Sequence, residues 1–195
     1  VAVAGCRVAV WPCLLDWAET PDALLAVLRS TAANARILGA EHLKLPPWVA
    51  PTGQGMALDD GVIGVLKSLA GEAAQQQVAL LLENHPAAYW SSSARCRAIL
   101  EQVGSPALQL AFNPAHFAQL GEKPFLGTWN RGKLKRHTAQ LVLADGCGRP
   151  GWPPYTPPAQ GQGELKELMS ILRCRSFAGL FTLTTSGSCD FDFRA

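Results

Sequence analysis

Three polar side chains stand directly after apolar runs in this sequence. Glu83 follows three leucines, Asn113 follows Phe112, and Asp145 follows the apolar run 140–144. A carboxylate at the end of a buried run is costly to bury alone, so it reaches solvent, pairs with a basic side chain or binds a cation. For Glu83, both an ion pair and a cation site are therefore open.

Six apolar runs are suited to buried strands. Their nearly continuous hydrophobicity is typical of parallel strands covered on both faces. The runs lie at 1–11, 42–45, 78–82, 107–112, 140–144 and 179–183, and helical patterns occupy 20–39, 62–77, 91–103 and 164–173. This alternation predicts a parallel sheet with right-handed crossovers. In a (β/α) barrel, the polar strand ends would meet on the C-terminal rim.

Two segments depart from the alternation. Pro124, Gly127 and Gly132 interrupt the crossover at 118–137, which predicts a short helix and irregular chain there. The segment 146–163 is rich in proline and glycine and predicts a long loop, either over an active site or as a surface excursion. Aromatic residues near the rim could stack on sugar rings or pack under loops: Trp48, Tyr89, Trp90, Trp129 and Trp152.

Composition restricts the function classes. The 195 residues are 48% hydrophobic and 16% charged, with a net charge of +2, so we expect one globular domain over 1–195 and no nucleic-acid partner. No apolar run has the roughly 20 residues of a membrane span. The six scattered cysteines form no CxxC pair and are expected to be reduced, which favours a cytoplasmic location. A start at valine indicates an N-terminally incomplete domain.

Five stretches together resemble the xylose isomerase-like TIM barrel superfamily, which includes sugar phosphate isomerases and epimerases and the family 2 type of AP endonuclease. They read LLENHP at 81–86, LAFNPAHF at 110–117, LVLADG at 141–146, QGQGEL at 160–165 and GLFTLT at 179–184. The resemblance implies an α/β fold, a partial (β/α)8 TIM barrel of about six parallel strands. These would be the third to the eighth strands, with the first two βα units missing.

The resemblance also implies a metal site in the isomerase and epimerase branches. There a divalent ion (Mn, Co, Zn or Mg) is held by a glutamate, an aspartate, a histidine and a second glutamate. Glu83 matches the first ligand, but Asn113, Val142 and Thr184 stand at the other three positions. Because valine cannot coordinate and hard cations prefer charged oxygens, we expect weak or absent metal binding at a degenerate site of Glu83 and Asn113.

Residue roles follow from the same resemblance. His116 matches a histidine that contacts substrate or metal, and Asp145 matches the acid that ends an HxKD-like pattern. If activity remains, the expected catalytic residues are Glu83, His116 and Asp145. The expected substrate-binding residues are Asn84, His85, Asn113 and His116.

Several functions remain open. The chain could bind a sugar or sugar phosphate with weak or no catalysis, or be an active keto-sugar isomerase or epimerase with an altered site. It could instead be a non-enzymatic interaction module or a truncated gene product. Six strands cannot close an eight-stranded barrel, so a second copy or another chain could cover the open edges. Nuclease activity is disfavoured, because four histidines are few for a multi-metal cluster and the charge is nearly neutral.

Overall fold

The framework of the fold is a six-stranded parallel sheet, seen in a computed structural model that describes residues 8–49, 60–149, 151 and 154–183. The order in the sheet is β1-β2-β3-β4-β5-β8, and the sheet curls into a half-barrel with helices between its strands. The main strands are β1 (Val10–Pro12), β2 (His42–Lys44), β3 (Ala79–Glu83), β4 (Leu108–Phe112), β5 (Thr138–Leu143) and β8 (Leu180–Leu183). The helices are α1 (Pro21–Ile37), α2 (Asp60–Gln75), α3 (Ser93–Val103), α4 (Pro114–Gln119) and α5 (Leu165–Cys174).

Local sequence signals set the helix ends. The Thr20 hydroxyl accepts a hydrogen bond from the Ala23 amide and caps the N-terminus of α1. A proline in the first turn also favours a helix start at this point. Ser92 caps α3 in the same way, and Gly104 ends that helix in the left-handed region with φ 65°. These caps set the residues at which α1 begins and at which α3 begins and ends.

The two faces of the sheet have different roles. Leu80, Leu82 and Leu110 are fully buried in the main core between sheet and helices. Because side chains alternate along a strand, Leu81 and Glu83 point to the opposite, concave face. Lys44 is in register with Leu81, so it lies on that concave face as well.

The structure confirms the predicted partial barrel and its βα alternation, with differences at two segments. Residues 124–131, where irregular chain was expected, form an eight-residue π-helix, Pro124–Arg131, followed by a 3-10 turn, Leu134–Arg136. Proline is tolerated because it stands in the first turn, where its missing N–H is not needed. The predicted long loop contains a short antiparallel pair, β6 (Asp145–Gly146) and β7 (Tyr155–Thr156).

The first predicted strand, 1–11, lies only partly within the described residues, where β1 begins at Val10. Among the helices of the described ranges, none has the length and apolar character needed to cross a bilayer.

Candidate functional site

Glu83 ends β3 with both carboxylate oxygens engaged. Its Oε2 forms an ion pair with the Lys44 ammonium at the end of β2. Its Oε1 accepts a hydrogen bond of 2.7 Å from the Asn113 side-chain amide. The Glu83 side chain is only 14% exposed, so these partners replace most of its hydration. The structure thus shows the ion-paired arrangement that the sequence left open.

Asn113 connects β4 to the short helix α4. While its Nδ2 donates to Glu83, its Oδ1 accepts from the backbone amides of Ala115 at 3.0 Å and His116 at 3.4 Å. The side chain therefore acts as the N-cap of α4. Its oxygen, the atom that could bind a metal, is turned toward the helix and away from Glu83.

Asn84 joins the ends of β3 and β4. Its fully buried side chain donates to the Asn113 carbonyl at 2.9 Å and accepts from the Asn113 amide at 2.7 Å. These two hydrogen bonds extend the contact between β3 and β4 beyond their last paired residues, Glu83 and Ala111. Asn84 thus positions Asn113, and its predicted contact with substrate stays a prediction.

His116 is buried, and both of its ring nitrogens have partners. Nδ1 lies 2.5 Å from the carbonyl oxygen of Asn84, which can only accept, so Nδ1 carries the proton. Nε2 is then the acceptor for the Tyr155 hydroxyl at 2.8 Å. Burial lowers the pKa of His116, although the Asn84 carbonyl and the Glu83 carboxylate, 3.8 Å away, oppose that shift. His116 is therefore neutral near pH 7.

His85 lies beside this cluster. Its ring meets that of His116 edge to face, with ring centres 5.1 Å apart. Its Nδ1 accepts a hydrogen bond of 3.2 Å from the Ala87 amide, and its side chain is half-buried. His85 is thus within reach of a ligand on the rim.

Two residues of this cluster were missed from the sequence. Lys44 is the single charged side chain within the apolar run 42–45 and the last residue of β2, as Glu83 is the last residue of β3, so a charge at the end of a strand was the signal that could have found it. Tyr155 comes from β7 within the proline-rich loop, and no local pattern marks it. Burial raises the pKa of the Tyr155 phenol, which keeps it protonated and able to donate to His116.

Asp145 has a different environment. Its buried carboxylate accepts hydrogen bonds from three backbone amides, those of Gly146 at 2.8 Å, Gly161 at 3.0 Å and Gly163 at 2.7 Å. A Cβ at Gly161 would collide with this carboxylate, so glycine is required there. Asp145 therefore joins the two ends of the loop 146–163, and its predicted catalytic role stays a prediction.

Of the two remaining metal-ligand positions, the one within the described residues holds a side chain that cannot coordinate a metal. Val142 is buried and packs with Ala115, Ala144 and Tyr155. Thr184 lies outside the described residues. Within the described ranges, no group of three or more His, Cys, Asp or Glu side chains could hold a metal ion. A carboxylate with both oxygens engaged, an amide turned away and a valine do not fit a divalent metal.

Aromatic side chains form a wall beside Glu83. Trp17 and Trp48 stack with ring centres 4.5 Å apart, and Tyr89 meets Trp48 edge to face. The indole of Trp90, fully buried, donates to the Glu83 carbonyl at 2.9 Å. Trp129, like Trp90, is buried in the main core, so sugar stacking there is not supported. Trp17, Trp48 and Tyr89 are only partly buried against that core. Trp152 is outside the described residues.

Comparison with known proteins identifies the family. A family model of the xylose isomerase-like TIM barrel matches residues 2–190, so the chain belongs to that family. No curated protein matches the chain.

Solved structures show the same fold. The probable 3-DHS dehydratase AsbF of Bacillus anthracis, described as involved in petrobactin synthesis, is 12% identical, with a TM-score of 0.73 over 92% of this chain and 69% of its own. The IolI protein with a bound zinc atom is 16% identical, with a TM-score of 0.71 over 91% and 66%. A Mycobacterium smegmatis barrel in complex with magnesium is 15% identical, with a TM-score of 0.68 over 94% and 68%.

The chain thus spans about two thirds of the length of these barrels. At such identities the likeness establishes the fold. Two of the three neighbours carry a divalent metal, zinc or magnesium, in their structures.

Proposed function

We propose that this chain binds a sugar or sugar phosphate at the C-terminal rim of its partial barrel, with weak or no metal-dependent catalysis. The observation that carries the proposal is the cluster of Glu83, Asn113 and His116, in which Asn113 donates to Glu83 and the His116 ring lies 3.8 Å from the same carboxylate. Barrels of this kind bind their ligands at this rim. The stacked pair of Trp17 and Trp48 adds an aromatic surface of the type that sugars contact.

Weak catalysis follows from the state of these groups. Isomerisation of a keto sugar needs a base with a free lone pair and a cation that stabilises the enediolate oxygen. Here the Glu83 carboxylate is engaged at both oxygens, and both nitrogens of His116 have partners. A substrate would have to displace one of these contacts before a proton could move.

One contact favours the alternative of an active keto-sugar isomerase or epimerase with an altered site. The Tyr155 hydroxyl donates to His116 Nε2 at 2.8 Å, so a ligand hydroxyl at Tyr155 would be linked to a neutral imidazole. Such a link can relay a proton. In this second function, His116 would serve as the base, the Asn84 carbonyl would orient its ring, and the nearby Glu83 carboxylate would stabilise the imidazolium.

Calorimetric titration tests the proposal. We expect ketoses and ketose phosphates to bind the purified chain, while Mn²⁺, Co²⁺ and Zn²⁺ bind more weakly than 1 mM and no ketose is turned over. His116→Ala should weaken sugar binding, whereas the matched His137→Ala, before β5, should not. Submillimolar metal binding together with turnover would refute the loss of catalysis. Absence of binding by all of the sugars would refute the binding function itself.

A further inference from the structure

We infer that Lys44 is a built-in cation that holds Glu83 in place of a divalent metal and presents its ammonium group to the oxygen of a bound ligand. The exclusion of metal stands on the geometry alone. The contact with ligand rests on the proposed function and deepens it.

The strand register places Lys44 below Glu83 on the same face of the sheet. Lys44 pairs with Leu81, two residues before Glu83 on the neighbouring strand. Its chain must therefore extend toward the C-terminal rim for the ammonium to meet Glu83 Oε2. A carboxylate that is 14% exposed needs a counter-charge, and Lys44 supplies one that cannot be removed by chelation.

The neighbouring groups at Glu83, Asn113 and His116, are held by contacts that a metal ion would have to break. Asn113 turns its NH2 toward Oε1 and its oxygen toward α4. The Nδ1 proton of His116 is directed at the Asn84 carbonyl. A divalent ion at Glu83 would need to displace an ammonium, reverse an amide that caps a helix and free an imidazole. The repulsion between the ion and Lys44 adds to these costs.

The Lys44 ammonium can donate further hydrogen bonds to a ligand. An ammonium has three N–H donors, and one is directed at Glu83. The Lys44 side chain is 37% exposed, so solvent and small solutes reach part of it. A carbonyl oxygen is a good second acceptor, because a charged donor strengthens the hydrogen bond. The ligand class is therefore a small polyhydroxy carbonyl compound, bound without metal.

Four variants test the metal part: Asn113→Asp, Lys44→Met, the double variant Lys44→Met/Asn113→Asp and the double variant Lys44→Arg/Asn113→Asp. Mn²⁺ binding is measured by calorimetry, with folding checked by circular dichroism. The Lys44→Met/Asn113→Asp protein should bind Mn²⁺ at least about tenfold more tightly than Asn113→Asp alone, because aspartate restores an oxygen ligand and the repelling charge is gone. The arginine variant keeps the charge and should resemble Asn113→Asp.

Equal Mn²⁺ affinity with and without Lys44 would overturn the inference, as would submillimolar Mn²⁺ binding by the wild type. If the double variant does not fold, the metal part of the inference is tested instead by paramagnetic broadening of the wild-type NMR resonances. Millimolar Mn²⁺ should leave the His85 and His116 ring resonances sharp, and selective broadening of both would overturn the inference.

Dihydroxyacetone and glycerol, which differ at the carbonyl group, test the contact with ligand. Lys44→Met should weaken dihydroxyacetone binding about tenfold and glycerol binding less. Equal loss for both would overturn the contact. If the wild type binds neither these compounds nor any ketose, the proposed function and the contact fail together, and the metal result stands separately.

Discussion

The two halves of the barrel rim use strand-end polar residues in opposite ways. At the ends of β2, β3 and β4, Lys44, Glu83 and Asn113 contact one another across neighbouring strands. Near the end of β5, Val142 contributes only hydrocarbon, and after β5, Asp145 accepts from backbone amides of its own loop. A polar residue after a strand can therefore build a shared cluster or anchor a single loop. Position on the rim alone does not distinguish the two.

The largest effect is expected from Asp145→Ala. Three amides would lose a charged acceptor in a buried place, at a cost of about 4 kcal/mol of unfolding free energy. Urea unfolding measures this loss. Asp145→Asn retains one acceptor oxygen and should lose about half as much. A loss below about 1 kcal/mol would mean that water replaces the carboxylate and that Asp145 does not anchor the loop.

Asn84→Ala tests the other half of the rim. It removes both hydrogen bonds to the Asn113 backbone from a fully buried site, so we expect a loss of about 3 kcal/mol in the same urea experiment. Asn84→Asp keeps the acceptor for the Asn113 amide but places a buried carboxylate against the Asn113 carbonyl, and should cost at least as much as alanine. If Asn84→Ala costs more than Asp145→Ala, the rim cluster is the more strongly coupled half.

Lys44→Met should cost less, about 1 kcal/mol, because the lysine is more than one third exposed and solvent screens its charge. Lys67→Met on the exposed side of α2 is the matched control and should change stability by less than about 0.5 kcal/mol. Thermal unfolding of both proteins checks the difference. Indistinguishable melting temperatures would show that Glu83 does not depend on its lysine for stability.

The smallest effect concerns pH. The folded-state pKa of His116 is lowered by burial, so the unfolded chain binds a proton more readily. The stability from neutral His116 is complete above its unfolded pKa, about 6.5, and is lost as pH falls below that value. His137 has the same direction of shift, also led by burial. Urea unfolding between pH 7.5 and 5 should therefore show a shallower slope for His116→Gln than for wild type.

His137→Gln is the comparison for that slope, since His137 lies before β5 and away from the rim cluster. Its pKa is lowered in the same direction, but it is less buried than His116, so its replacement should change the slope less. Parallel curves for wild type and His116→Gln would contradict the assignment of a buried neutral imidazole.

The sequence predicted the strands because apolar runs report burial directly, and it predicted the family through the resemblance of five stretches in their order along the chain. The contacts among rim residues could not be predicted, because they depend on register between strands far apart in sequence. Glu83 is in register with Ala111, and only that alignment brings Asn113 beside it. Lys44 was overlooked within an apolar run, although its strand-end position matched that of Glu83. Tyr155 reaches His116 from 39 residues away, through a loop whose path no local pattern specifies.

The parallel topology also has a kinetic consequence. Each strand pair in the main sheet joins segments separated by a crossover, as when Leu80 pairs with Leu108 and Gln140 with Leu180. Loop closure must precede every such pairing, which makes folding slow relative to a helical bundle of similar size. The bridge from Asn84 to Asn113 can form only after β3 and β4 have docked. The rim cluster therefore cannot form before the strand pairing on which it depends.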